Sequence, residues 1–197
     1  MKKLLVSLAM FVLLFSFVQP AHADDSLRVY YAGNDGSVKS ALELAKFTFV
    51  DDSSQADVFV LNGKIPTDET ITARVRSGEA GLVLILGAEM TGTQVSDLLD
   101  TPLELMPREN AVSLTTVNIN DALTKEVVWN GAPQVRERFD ILTPVSSVQP
   151  LVTAYEDGGW ILWQAHESKY VVNAFIGEAN PQIQEWGLFQ LFDLPSG

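Results

Sequence analysis

The stretch GLVLILGAEM, Gly81 to Met90, decides the fold. Its apolar residues Leu82 to Leu86 run continuously instead of alternating with polar ones, which marks a strand buried on both faces, as in the middle of a parallel sheet. At Gly87 the run stops and hands over to Ala88-Glu89-Met90. In an open α/β sheet that handover is where a strand delivers binding or catalytic groups.

Working outward, strand-like and helix-like segments alternate around this strand. Leu27 to Ala32 reads as a strand ending in the turn cluster Gly33-Asn34-Asp35-Gly36. Val38 to Phe47 places Val38, Leu42 and Ala45 on one helix face. Phe47 to Val50 and Asp57 to Leu61 are short strands, the second stopping at Asn62-Gly63. Thr67-Asp68-Glu69 starts a helix with Ile71 and Val75 inward and Ser77-Gly78 as its stop, and Gln94 to Leu99 is a third helix.

From Ala111 onward the pattern is strand after strand: Val112 to Ile119, Phe139 to Leu142, Leu151 to Tyr155, Trp160 to Gln164 and Tyr170 to Phe175. Glu156-Asp157-Gly158-Gly159 is a hairpin turn, so part of this half is antiparallel. A last helix, Pro181 to Phe192, presents Ile183, Trp186, Phe189 and Leu191. There is no internal repeat, low-complexity tract or linker, and the expectation is one α/β domain with a mixed sheet.

The N-terminus has its own signature. Met1-Lys2-Lys3, an apolar run from Leu4 to Val18, and Pro20-Ala21-His22-Ala23 together predict a secretory signal peptide over residues 1–23, cleaved after Ala23. The alternative, a retained anchor, is disfavoured because ~15 apolar residues fall short of the ~20 of a spanning helix. Residues 24–197 then form the domain and carry 11 basic against 25 acidic residues, a net charge of −14. That balance argues against nucleic acid and anionic lipid as partners, and no later segment is apolar for long enough to insert in a membrane. With no cysteine, the chain has no disulfide, lipid-anchoring cysteine or thiol nucleophile. The expected location is exported, periplasmic or extracellular.

The element order, together with VRSGEAGLVLILG, LTKEVVWNGAPQVRERF, PLVTAYEDGGWILW and YVVNAFIGEANPQIQEWGLFQLF, resembles the class I glutamine amidotransferase-like superfamily. Within it, the chain is most similar to a divergent extracytoplasmic branch related to trehalose-utilisation-type domains. The resemblance spans nearly all of residues 24–197. It implies a flavodoxin-like, class I amidotransferase-like α/β fold: a mixed, mostly parallel sheet with helices on both faces and an antiparallel C-terminal extension. In active members, the strand equivalent to Gly81 to Leu86 ends in an elbow bearing a nucleophilic Cys, and a later strand delivers His and Glu. Here the elbow reads Gly87-Ala88-Glu89-Met90, and after Tyr170 to Ile176 comes Gly177-Glu178-Ala179-Asn180, with Glu178 present and the His missing. The resemblance therefore implies a domain without glutaminase chemistry, which needs a nucleophile beside an oriented base.

Other chemistries find little support. His22 leaves with the signal peptide, and the remaining His166 lies in a polar turn without the HxH or HExxH partner of a zinc site, so no metal or cofactor is expected. Acidic pairs such as Asp51-Asp52 and Glu156-Asp157 suit solvated turns, and Ser37-Val38-Lys39-Ser40 is better explained as a helix start than as a Ser/Lys catalytic pair. What remains are polar residues at strand tips: Asn34 and Asp35, Asn62, Glu89, and Glu178 with Asn180, which line one rim if the sheet is wound as described. Asn and Asp also belong in such turns for local reasons. Arg136 and Arg138, spaced i and i+2, would lie on one side of an extended segment, either gripping an anion or pairing with the domain's own acids. Trp160 and Trp163 read as core and edge residues rather than a sugar-stacking platform.

Three functions follow as expectations. The first is a non-enzymatic interaction or ligand-sensing module of the bacterial envelope, bound to protein partners or a small ligand. The second is a small-ligand binder, for example for a sugar, and the third an atypical hydrolase. No residue pattern specifies an oligomeric state.

Overall fold

The computed structural model describes residues 27–34, 36–121, 123–125, 127, 129–142, 147–165, 169–177 and 179–183. The signal-peptide segment, His166 and all but the first residues of the Pro181 to Phe192 helix lie outside them, as do Asp35 and Glu178.

The opening stretch is strand β4, Gly81–Ile85, and it is central. It lies parallel between β3, Val58–Asn62, and β10, Tyr170–Asn173, so that Asn62, Ile85 and Asn173 stand level across three strands. Strand alternation sends its residues to two different cores. Leu82, Leu84 and Leu86 join one with Ile71 and Val75 of helix α2, Glu69–Ser77, and with Val95, Leu98 and Leu99 of helix α3, Gly92–Leu99. Val83 and Ile85 join another with Val38 and Leu42 of helix α1, Ser37–Leu44. The three leucines are completely buried, each stabilising the fold by about 1.5–3 kcal/mol relative to an exposed side chain. Helices thus cover both faces, and the continuous apolar run is explained.

Among the described residues the sheet has eight strands. Outside β3 lie β1, Arg28–Gly33, and the short edge strand β2, Thr48–Phe49, both parallel to it. On the other side of β10 come three antiparallel strands: β9, Trp160–Ala165, β8, Val148–Ala154, and β6, Leu114–Thr116. Asp157-Gly158-Gly159 turns between β8 and β9, with Gly158 at φ 73°, as the sequence requires of a hairpin. A separate antiparallel ribbon pairs β5, Leu105–Arg108, with β7, Arg138–Ile141.

Local chemistry sets the helix ends. Asp68 caps α2 by accepting from the Thr70 N–H, and Gly78 closes it in the left-handed region at φ 71°. Helix α3 begins two residues before the expected Gln94, because Thr91 and Gln94 form a reciprocal capping box. The strands of the second half differ more from expectation. Val112 to Ile119 contracts to three paired residues: Val112 makes only an isolated bridge to Val135, and the Asn118 side chain accepts from Asn120 N–H and bends the chain away. Strand β8 starts earlier than expected, accommodating Pro150 beside a register shift. Strand β5 has no signature in the sequence because Pro107 sits inside it, tolerated in a two-stranded ribbon. Trp163 is fully buried and Trp160 packs partly buried against the same core, in keeping with their reading as core and edge residues. Among the described residues no helix is long and apolar enough to cross a membrane.

Candidate functional site

In a parallel sheet, the crevice for a ligand opens where the winding reverses. The chain leaves β1 for β2 on one side and then crosses to β3 on the other, so that point lies between β1 and β3. Here β1 and β3 end in close backbone contact. A Cβ on Gly33 would stand 2.6 Å from the Asn62 carbonyl oxygen, which is why glycine ends β1. The Asn62 amide Nδ2 donates to the Tyr31 hydroxyl at 3.1 Å, and that hydroxyl donates to the Asn34 carbonyl at 2.6 Å. Asn34 is exposed and Asn62 half-buried. The structure therefore brings together two of the expected rim residues through a third, Tyr31, whose place in a YY strand pair conceals its polar role in the sequence.

At the tip of β4, two glycine backbones close on each other. Gly63, at φ 78°, donates its N–H to the Ile85 carbonyl, and a Cβ on Gly87 would lie 2.4 Å from the Gly63 oxygen. The Met90 N–H returns to the Gly87 carbonyl and tightens the turn, leaving Ala88 and Glu89 exposed at its apex. The next hydroxyl along the chain, Thr91 Oγ1, is engaged with Gln94 in the cap of α3. The apex thus presents a methyl group and a carboxylate, neither of which is the activated thiol or hydroxyl of an acyl-transfer site.

Asn173 ends β10 level with Ile85 and Asn62 and belongs by alternation to the face that α1 covers. It is 8% exposed, and its Oδ1 has no hydrogen-bond partner among the described residues. The only sequence sign of it is a polar residue closing the apolar run YVVN.

The other expected site residues separate. Arg136 and Arg138 do not share a side: the chain bends at Glu137, which breaks the alternation of an extended segment, so Arg136 is exposed and Arg138 completely buried. Arg138 Nη2 donates to Asp157 at 2.5 Å, Nη1 to Asn110 Oδ1 and backbone oxygen at 3.1 and 3.2 Å, and Nε lies 3.6 Å from Asp140. Arg108 grips the other oxygen of Asp140 at 2.7 Å. Partial burial works against ionisation of Asp157. Hydrogen bonds from Gly159 N–H, Asn110 and Arg138 outweigh it and hold the carboxyl below its usual range. Arg138 thus ties β7, the Asn110 loop and the β8–β9 turn together.

Asn180 is likewise committed: its Nδ2 donates to the carbonyls of Glu137 and Ile176, and its Oδ1 accepts the Arg136 N–H. Glu89 lies exposed at the β4 apex, away from the other expected site residues described above. No cluster of three or more metal-ligating side chains occurs among the described residues. An open depression of ≈ 420 Å³ lies elsewhere, along the cap residue Asp68 and Glu69, Thr72 and Arg76 of α2. It holds none of the expected rim residues.

No family model and no curated protein sequence matches the chain. Among solved structures it is similar to a GMP synthase subunit-like protein from Thermoplasma acidophilum, with a TM-score of 0.52 and 13% identity over 87% of this chain and 92% of that one. The likeness is one of fold. Both chains share a mostly parallel central sheet with flanking helices and antiparallel strands.

Proposed function

We propose that the protein is an exported, catalytically inactive amidotransferase-like domain that serves as an interaction or ligand-sensing module of the bacterial envelope. The observation that carries this reading is the apex of β4. Gly87-Ala88-Glu89 offers no thiol or hydroxyl, the chain has no cysteine, and Gly177-Glu178-Ala179-Asn180, beyond β10, carries no histidine where the resemblance to active members calls for one. An acyl-enzyme needs a nucleophile, a base and a group orienting the base, and losing two of them removes the reaction even where the fold persists. Export rests on the basic, apolar and Ala-x-Ala succession of residues 1–23, and the excess of acidic residues favours protein or small-ligand partners over nucleic acid.

The direct test incubates purified residues 24–197 with glutamine and measures ammonia. None is expected, and Ala88→Cys should be equally silent because it restores neither the histidine nor the oxyanion donors. Ammonia release by the unaltered protein overturns the reading.

A second reading, a small-ligand binder, is favoured by the Tyr31–Asn62 pair at the winding reversal. Titration with glucose and with inorganic phosphate, followed by thermal denaturation, tests it. A saturable rise in Tm that disappears in Asn62→Ala supports this reading, and no rise with either compound counts against it.

A further inference from the structure

We draw no further inference here: the strongest candidate, the buried Asn173 carboxamide at the end of β10 whose Oδ1 lacks a hydrogen-bond partner among the described residues, belongs to the strand-tip site already described, and nothing in the structure shows what would reach that enclosed oxygen.

Discussion

Asp157→Ala isolates the contribution of the buried Arg138 cluster. The Arg138 side chain is 0% exposed and Asp157 is 36% exposed. Removing one partner of a buried ion pair costs about 3–5 kcal/mol, because the other charge is left in a poor solvent. Two features reduce that figure here. Asn110 still holds Nη1, and water can take the place of a carboxylate more than one-third exposed, so roughly 2–3 kcal/mol is expected. For a domain of this size each kcal/mol moves Tm by ~2–4 °C, giving a fall of about 4–12 °C in a thermal melt followed by circular dichroism. Arg136→Ala is the internal control: its side chain is exposed, and the expected change is within ~0.5 kcal/mol. The double variant Arg138→Met with Asp157→Leu removes both charges while Asp140 keeps Arg108, so it should melt above Asp157→Ala. Equal melting temperatures for Asp157→Ala and Arg136→Ala would refute the assignment of Arg138 as a buried cross-link.

Further expectations follow from the same geometry. Asp157 has a lowered folded-state pKa, as does Asp57, which is held chiefly by hydrogen bonds from the Arg28 side chain. Their contribution is therefore present above the unfolded carboxylate value of ~3.9 and lost as pH falls through the lower folded values, so stability should decline below about pH 4. Denaturant titrations across that range should show a shallower decline in Asp157→Asn and Asp57→Asn. Gly87→Ala drives a Cβ to within 2.4 Å of the Gly63 oxygen, backbone against backbone, and should cost about 1–3 kcal/mol in a urea melt. Asn180→Ala strips partners from the Glu137 and Ile176 carbonyls and the Arg136 N–H, an expected loss of ~2–4 kcal/mol with proteolysis first appearing around residues 136–137.

The parallel half is legible in the sequence because its signals are local. The unbroken run Leu82 to Leu86 admits one placement, between strands and between helix layers, and Asp68 and Gly78 mark the ends of α2 by their own side-chain and backbone chemistry. The antiparallel half is less so, because Pro107 and Pro150 interrupt runs that nonetheless pair and Asn118 ends one that looks continuous. At the site, Asn34 and Asn62 are recoverable as polar residues after apolar strands. Tyr31 and Asn173 are not, since their roles depend on neighbours on other strands or on burial that no local pattern expresses. Arg136 and Arg138 look like a pair only if Glu137 is extended.

The position of β10 bears on how the chain reaches this fold. Among the described residues it is the last strand in sequence, yet it sits inside the sheet, pairing Tyr170 with Leu82 on one side and with Ala165 on the other. Closing so long a loop is entropically costly, so the centre of the sheet should form late. Until it does, β4 and β9 each present a row of unpaired amides and carbonyls at the heart of the molecule, the kind of edge that recruits strands from neighbouring chains. A chain truncated before Tyr170 would keep both edges permanently, and should accumulate as aggregate rather than as a smaller folded domain.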